Sequence, residues 1–216
     1  MGRPSDARQK ILDAAESLIA QRGYSALGVA EICTAAGVPK GSFYYFFPSK
    51  QALALAVIDR HWNVQHQAWE QILGGGETPH SPLEQQLFRT SALEQLRRLF
   101  DATEAQLRAH QAGSGTVSGS LFGNLTLELS NQTEAIRARL QEIFDTRVDL
   151  VASVIARARE RGEVSVPDVR QAARSIVAQL EGQIMLAKLY NDTTGLSVLW
   201  DNCLALLTAA PPATRP

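Results

Sequence analysis

Cysteine is scarce in this chain. There are two in 216 residues, Cys33 and Cys203, with no CxxC pair and no Cys/His spacing suited to a metal. Each lies inside an apolar helical pattern without a partner nearby in sequence, which favours a reduced cytoplasmic setting over a secreted disulfide framework. No apolar run reaches membrane length, and the polar opening MGRPSDARQK lacks the character of a signal peptide, so no membrane partner is expected. Charge of one sign is not in excess either, with 21 Lys and Arg against 22 Asp and Glu. The hydrophobic content of 45% with 20% charged residues argues against disorder, and the length suffices for one large domain or two small ones.

Signs of catalysis are missing as well. The four histidines, His61, His66, His80 and His110, form no ligand set, because His61 and His66 are five apart and fall on different faces of a helix. His66 and Glu70 are four apart, the spacing of a solvated pair. There is no nucleotide loop, no GxSxG and no suggestive carboxylate dyad, so an enzyme is not expected and no cofactor or metal is implied. Strand patterns and internal repeats are also lacking.

What is present is helical periodicity from end to end, which predicts an all-α fold. The stretch LGVAEICTAAGVPKGSFYYFFPSK, from Leu27 to Lys50, reads as two short helices joined by a tight turn. Val29, Ile32 and Cys33 recur at helical spacing in the first. Gly37 supplies a permissive helix end, and Pro39 suits the first turn of the second helix. That second helix is anchored by Phe43 and by Phe46 or Phe47. Its other side offers Lys40, the close-approach Gly41, Ser42, Tyr44 and Tyr45, and Ser49 is placed to cap the helix that follows. This is the build of a helix-turn-helix that sends its second helix into the major groove.

Residues 1–50 carry six Lys or Arg against four acids, while the remainder carries 15 against 18, a modest asymmetry of the sign that DNA contact requires. In such a reader Lys40 and Lys50 would neutralise phosphates and Ser42 and Tyr45 would hydrogen-bond the backbone. Lys40 and Tyr44 are the candidates for base edges, although one of the tyrosines could equally only pack. Arg3 belongs to a short basic arm suited to the minor groove or simply to a frayed terminus.

The run from Ser5 to Lys50 resembles the DNA-binding module of the TetR family of bacterial transcription regulators. ILDAAESLIAQRGY, AEICTAAGV and above all VPKGSFYYFFPSK carry the likeness. One departure is Gly28, where the family usually has a Thr or Ser that caps the first helix of the motif and touches a phosphate. The resemblance implies a helix-turn-helix domain over residues 1–48 and a helical ligand-binding and dimerisation domain over residues 49–216. It implies a cytoplasmic homodimeric repressor that a small organic effector releases from a palindromic double-stranded DNA operator. The rival readings are a small-molecule-binding protein or enzyme without DNA activity, and a helical assembly module.

Within residues 49–216, a long helix from Ser49 to about Leu73 carries Trp62, Gln65, Trp69 and Leu73 on one face, and the resemblance makes it the transmission element. Residues 74–82, GGGETPHSP, break the pattern, and a helix from Pro82 to about His110 follows. AGSGTVSG reads as a flexible link, and SLFGNLTLELSNQ as a buried helix with Asn124 and Glu128 one turn apart. Further helices span Thr133 to Arg161, Asp168 to Tyr190 and Ser197 to Thr208. GSLFGNLTLELS and LEGQIMLAKLY resemble a branch sensing small reactive or acidic organic compounds, in which a Cys commonly follows the first Gly. Here that position is Ser120, which removes thiol chemistry there. The aromatic and polar interruptions Trp62, Trp69, Phe100, Phe122, Asn124, Glu128, Arg147, Gln183 and Tyr190 are the pocket candidates. Core packing competes for the aromatics, and a buried ion pair between Glu128 and Arg147 competes for the charged groups.

Overall fold

A computed structural model describes residues 4–74 and 91–208. The elements are α1 (Pro4–Arg22), α2 (Val29–Ala36), α3 (Lys40–Phe46), α4 (Lys50–Leu73), α5 (Ala92–Ser114), α6 (Leu121–Leu129), α7 (Glu134–Glu160) and α8 (Val169–Tyr190), then a 3-10 turn (Thr194–Val198) and α9 (Leu199–Thr208). No strand occurs among the described residues. Arg3, the break after Gly74 and the predicted start of a helix at Pro82 lie outside them.

The chain forms two compact units. The first comprises the described parts of Met1–Gln65 and Ser118–Ile143, and so joins α1–α3 to the start of α4, to α6 and to the start of α7. α1 forms a back wall through its apolar period: Ile11, Leu12, Ala15 and Ile19 are buried, and the helix touches α2, α3 and α6. Gly23, at φ +80°, ends it, a conformation that glycine adopts at little cost. α4 begins where Ser49 predicts, its hydroxyl accepting from the Ala52 N–H at 3.0 Å.

A polar network ties α4 to α1 in this unit. Arg60 donates to Asp13 at 2.5 Å and to Glu16, and His61 Nδ1 lies 2.7 Å from Glu16 Oε1. A carboxylate only accepts, so the imidazole N–H donates. That hydrogen bond does most to lower the Glu16 pKa from its ordinary 4.5; burial opposes it, and Arg60 adds to it. A depressed folded pKa adds stability that is complete above the ordinary value and lost as pH falls through the folded one. Acid unfolding of the parent chain is therefore expected to set in below about pH 4.5, and Glu16→Gln should flatten that limb of a circular-dichroism pH titration. An unchanged titration would remove Glu16 from the acid-sensitive set.

The second unit comprises the described parts of His66–Val117 and Phe144–Pro216. Its core runs through Trp69, Leu73, Leu96, Phe100, Val151, Ile155, Ile176, Leu180, Ile184, Leu199, Cys203 and Leu207. The AGSGTVSG link is shorter than predicted. α5 continues to Ser114, with Gly113 tolerated inside its last turn, and stops at Gly115, whose φ of +75° supplies the left-handed exit. Asn191, at φ +50°, ends α8 and knits this turn down, accepting from Val117 N–H at 2.8 Å and donating to Gly115 O at 3.1 Å. Met185, Leu189 and Tyr190 on α8, Val198 in the 3-10 turn and Leu206 on α9 remain large, apolar and exposed.

Candidate nucleic-acid interface

The turn between α2 and α3 is built by Gly37, whose left-handed backbone (φ 64°, ψ 35°) brings Val38 N–H to within 3.0 Å of Cys33 O. Pro39 sits one residue earlier than predicted. It is the N-cap of α3, in extended conformation, and the helix proper begins at Lys40. Its fixed φ still suits the entry, and its missing N–H costs nothing there.

Seven residues make two faces. Phe43 is fully buried and stacks against Phe47 with ring centroids 5.9 Å apart. Phe47 is the second anchor. It follows the last helical residue, at φ −131°, so its side chain turns inward while Phe46 is only half-buried and packs edge-on against Tyr45. On the opposite side Lys40 and Gly41 are exposed, Tyr44 is 53% and Tyr45 78% exposed, and Ser42 is half-buried. A Cβ added at Gly41 would meet nothing within 4 Å, so the chain's own packing does not call for glycine there. The space is free for an outside surface to approach. Gly28 caps α2 in extended conformation with no side-chain hydrogen bond, leaving the first amides of α2 available.

Lys50 differs from Lys40. Its ammonium lies 4.0 Å from the centre of the Tyr24 ring, and burial lowers its pKa while Glu128 partly restores it. Tyr24, Ser25, Glu16 and Arg60 matter to this region and were not singled out in the sequence. The turn residues carry no periodic signal, and the charged ones read as ordinary helix surface.

The nine pocket candidates divide between the units. Trp62, Phe122, Asn124 and Glu128 fall in the first, and Trp69, Phe100, Arg147, Gln183 and Tyr190 in the second. In the first unit Trp62 and His61 both meet the buried Phe122 ring edge-on, at 6.1 and 5.2 Å, and Asn124 donates to Ser118 O at 3.3 Å. Glu128 is half-buried and accepts from Tyr24 and Ser25 backbone N–H groups.

In the second unit Arg147 is 2% exposed, pairs with Glu181 at 2.7 Å, and lies 5.1 Å from each of the Trp69 and Phe144 rings. The Glu128–Arg147 ion pair that competed with ligand contact is not formed, and each group has its own partners. Phe100 is buried, Gln183 is half-buried, and Tyr190, 72% exposed, lies outside the core. Two open grooves in this unit, one of about 710 Å³ along Glu163–Pro167 and one of about 120 Å³ beside Arg170, are lined by none of the nine. Ser120 caps α6, its hydroxyl accepting from Gly123 N–H at 3.1 Å.

A short exposed helix bearing Lys and two Tyr, braced across a glycine turn and followed by helices without a strand among the described residues, defines a helix-turn-helix DNA-binding protein. The chain belongs to the TetR family. Residues 11–57 match the bacterial regulatory proteins of the tetR family, and residues 92–202 match the tetracyclin repressor-like C-terminal domain. It is 29% identical to the HTH-type transcriptional repressor NemR of Escherichia coli over 155 residues, 72% of this chain and 70% of that protein. It is 32% identical to the transcriptional regulator AcuR of Cereibacter sphaeroides over 195 residues, 87% of this chain and 82% of that one. The crystal structure of a TetR regulatory protein from Rhodobacter sphaeroides superposes with a TM-score of 0.77 at 29% identity, over 91% of this chain and 96% of that one. The chain is accordingly a ligand-responsive DNA-binding transcription regulator of the all-α TetR type.

Proposed function

We propose that this regulator is a cytoplasmic homodimeric repressor that seats two copies of α3 in a palindromic operator and leaves it when a small organic effector binds. The carrying observation is the free face of α3, with Lys40, Gly41, Tyr44 and Tyr45 exposed on a helix whose inner side is fixed by Phe43. Lys40 neutralises phosphate and, with Tyr44, reaches base edges; Ser42 and Tyr45 bond the backbone, and Gly28 and Gly41 allow it close. Lys50 is a second phosphate cation that the Tyr24 ring and the Glu128 charge draw back from the DNA, and Arg3, outside the described residues, follows the minor groove. Residues 1–48 then act as the reader and residues 49–216 as the effector-binding and dimerisation domain. The exposed Met185, Leu189 and Tyr190 of α8 and Leu206 of α9 supply apolar surface for a two-fold partner, which would cover Tyr190. In a two-fold dimer the reading helices stand about 34–36 Å apart or a multiple of that.

The test is selection of a duplex from a randomised library, followed by titration of Lys40→Ala and Tyr44→Ala against it at fixed salt. Each variant is expected to weaken binding by about 1–3 kcal/mol, roughly fivefold to 150-fold. Binding equal to the parent in both would assign the reader elsewhere.

A further inference from the structure

We propose that Glu128 is the residue through which α6 positions the DNA reader, its carboxylate fixing the turn between α1 and α2 and holding Lys50 over Tyr24. The inference rests on the DNA-binding reading above and adds to it a positioning residue carried 103 and 104 residues away from the amides it holds.

The geometry starts at Gly23. Its N–H closes the last turn of α1 on Ile19 O at 2.9 Å, and its positive φ then carries the chain out of the helix. The next two amides leave the helical ladder and need acceptors. Both find them on one side chain: Tyr24 N–H donates to Glu128 Oε2 at 2.8 Å, and Ser25 N–H donates to Oε1. An ideal Cβ at position 23 would lie 3.2 Å from Oε2, so a larger residue there would press on the carboxylate. Burial pushes the Glu128 pKa up, but the hydrogen bonds from Ser25 and Tyr24 and the Lys50 charge outweigh it, so the group stays below its ordinary 4.5 and is ionised at neutral pH.

The same carboxylate acts on Lys50 through its charge, which works against the burial of the ammonium. The ammonium rests on the Tyr24 ring, 4.0 Å from its centre, a cation–π contact strengthened where water is partly excluded. Lys50 opens α4 directly after the reading helix, and the turn that Glu128 clamps leads through Gly28 into α2. One charge on α6 therefore acts on the reader twice. It sets where α2 and α3 sit relative to α1, and it competes with a DNA phosphate for Lys50. A shift of α6 that withdrew the carboxylate would loosen the turn and release the lysine together.

The experiment compares Glu128→Gln and Glu128→Asp with the parent in the full chain. Amide hydrogen exchange at Tyr24 and Ser25 is read by NMR, and the salt dependence of binding is read on the duplex selected by the parent. Glutamine keeps the shape but loses the charge and turns an NH2 toward one of the two amides. Exchange at both positions should speed up about tenfold or more, and the salt slope should steepen by about one unit as Lys50 engages a phosphate. Aspartate keeps the charge but not the reach, so it should lose the amide protection while retaining the parent slope. Adding Lys50→Met to Glu128→Gln should return the slope to the parent value. Unchanged exchange in Glu128→Gln overturns the turn-fixing role, and a parental slope in that variant overturns the hold on Lys50. A parent chain that enriches no duplex defeats the proposed function and the lysine role with it, while the exchange rates still decide the turn.

Discussion

Glu181→Ala is expected to destabilise the second unit by about 3–5 kcal/mol, read as a lowered urea midpoint at unchanged slope. The size follows from what the substitution leaves behind. Arg147 is 2% exposed, among the largest fully buried side chains, and its guanidinium faces the Glu181 carboxylate at 2.7 Å with the Trp69 and Phe144 rings 5.1 Å away. Burial lowers the Arg147 pKa and Glu181 works against it, yet a guanidinium keeps its proton in proteins. Alanine would therefore take the carboxylate at 2.7 Å away from a buried cation, and the rings attract that cation far less. The double replacement Arg147→Met with Glu181→Leu removes both charges and should recover most of the loss, because an apolar pair of similar volume avoids the desolvation cost. A Glu181→Ala change within about 0.5 kcal/mol of the parent would show that the carboxylate is not what holds Arg147.

That pair also marks how far the sequence could be read. The apolar stripe of α7 showed that Arg147 interrupts an inward face, and the structure buries it there. Helical phase states which side of its own helix a residue occupies and nothing about which helix lies opposite. Glu128 and Arg147, each the odd polar group on an apolar face, invited pairing, whereas the partners are Glu181 and the amides of Tyr24 and Ser25. Only the first could have drawn attention, as an acid between Leu180 and Ile184. The backbone of a turn leaves no mark in the sequence that says where its amides point.

Local chemistry was far more legible. Gly37 takes the left-handed conformation at the helix end it was expected to supply, and the Ser49 hydroxyl caps α4. The choice between Phe46 and Phe47 stayed open because α3 ends between them. Once φ and ψ leave the helical region the phase rule no longer applies, and Phe47 turns inward from extended backbone. The free tyrosine face of α3 could be foreseen because Phe43 and a terminating proline leave a seven-residue helix little freedom in which side it buries.

The native chain should leave both cysteines unmodified by iodoacetamide at about pH 8 over times that alkylate an exposed thiol, and label both once unfolded in guanidinium, as read by intact mass. Cys203 is fully buried on α9, and burial pushes its thiol up from 9.0 to about 12. A rise of that size cuts the reactive thiolate fraction roughly a thousandfold before restricted access is counted. Cys33 is 3% exposed inside α2 and is also shifted up by burial, which Lys40 only partly opposes. The position where the resembling branch of the family commonly bears a cysteine holds Ser120, whose hydroxyl caps α6. A chain without an accessible thiolate does not read its effector through cysteine, so release from DNA should be insensitive to added thiol. Labelling of native Cys203 at the rate of a free thiol would show instead that α9 opens readily, and would return covalent chemistry to the account of how this regulator is switched.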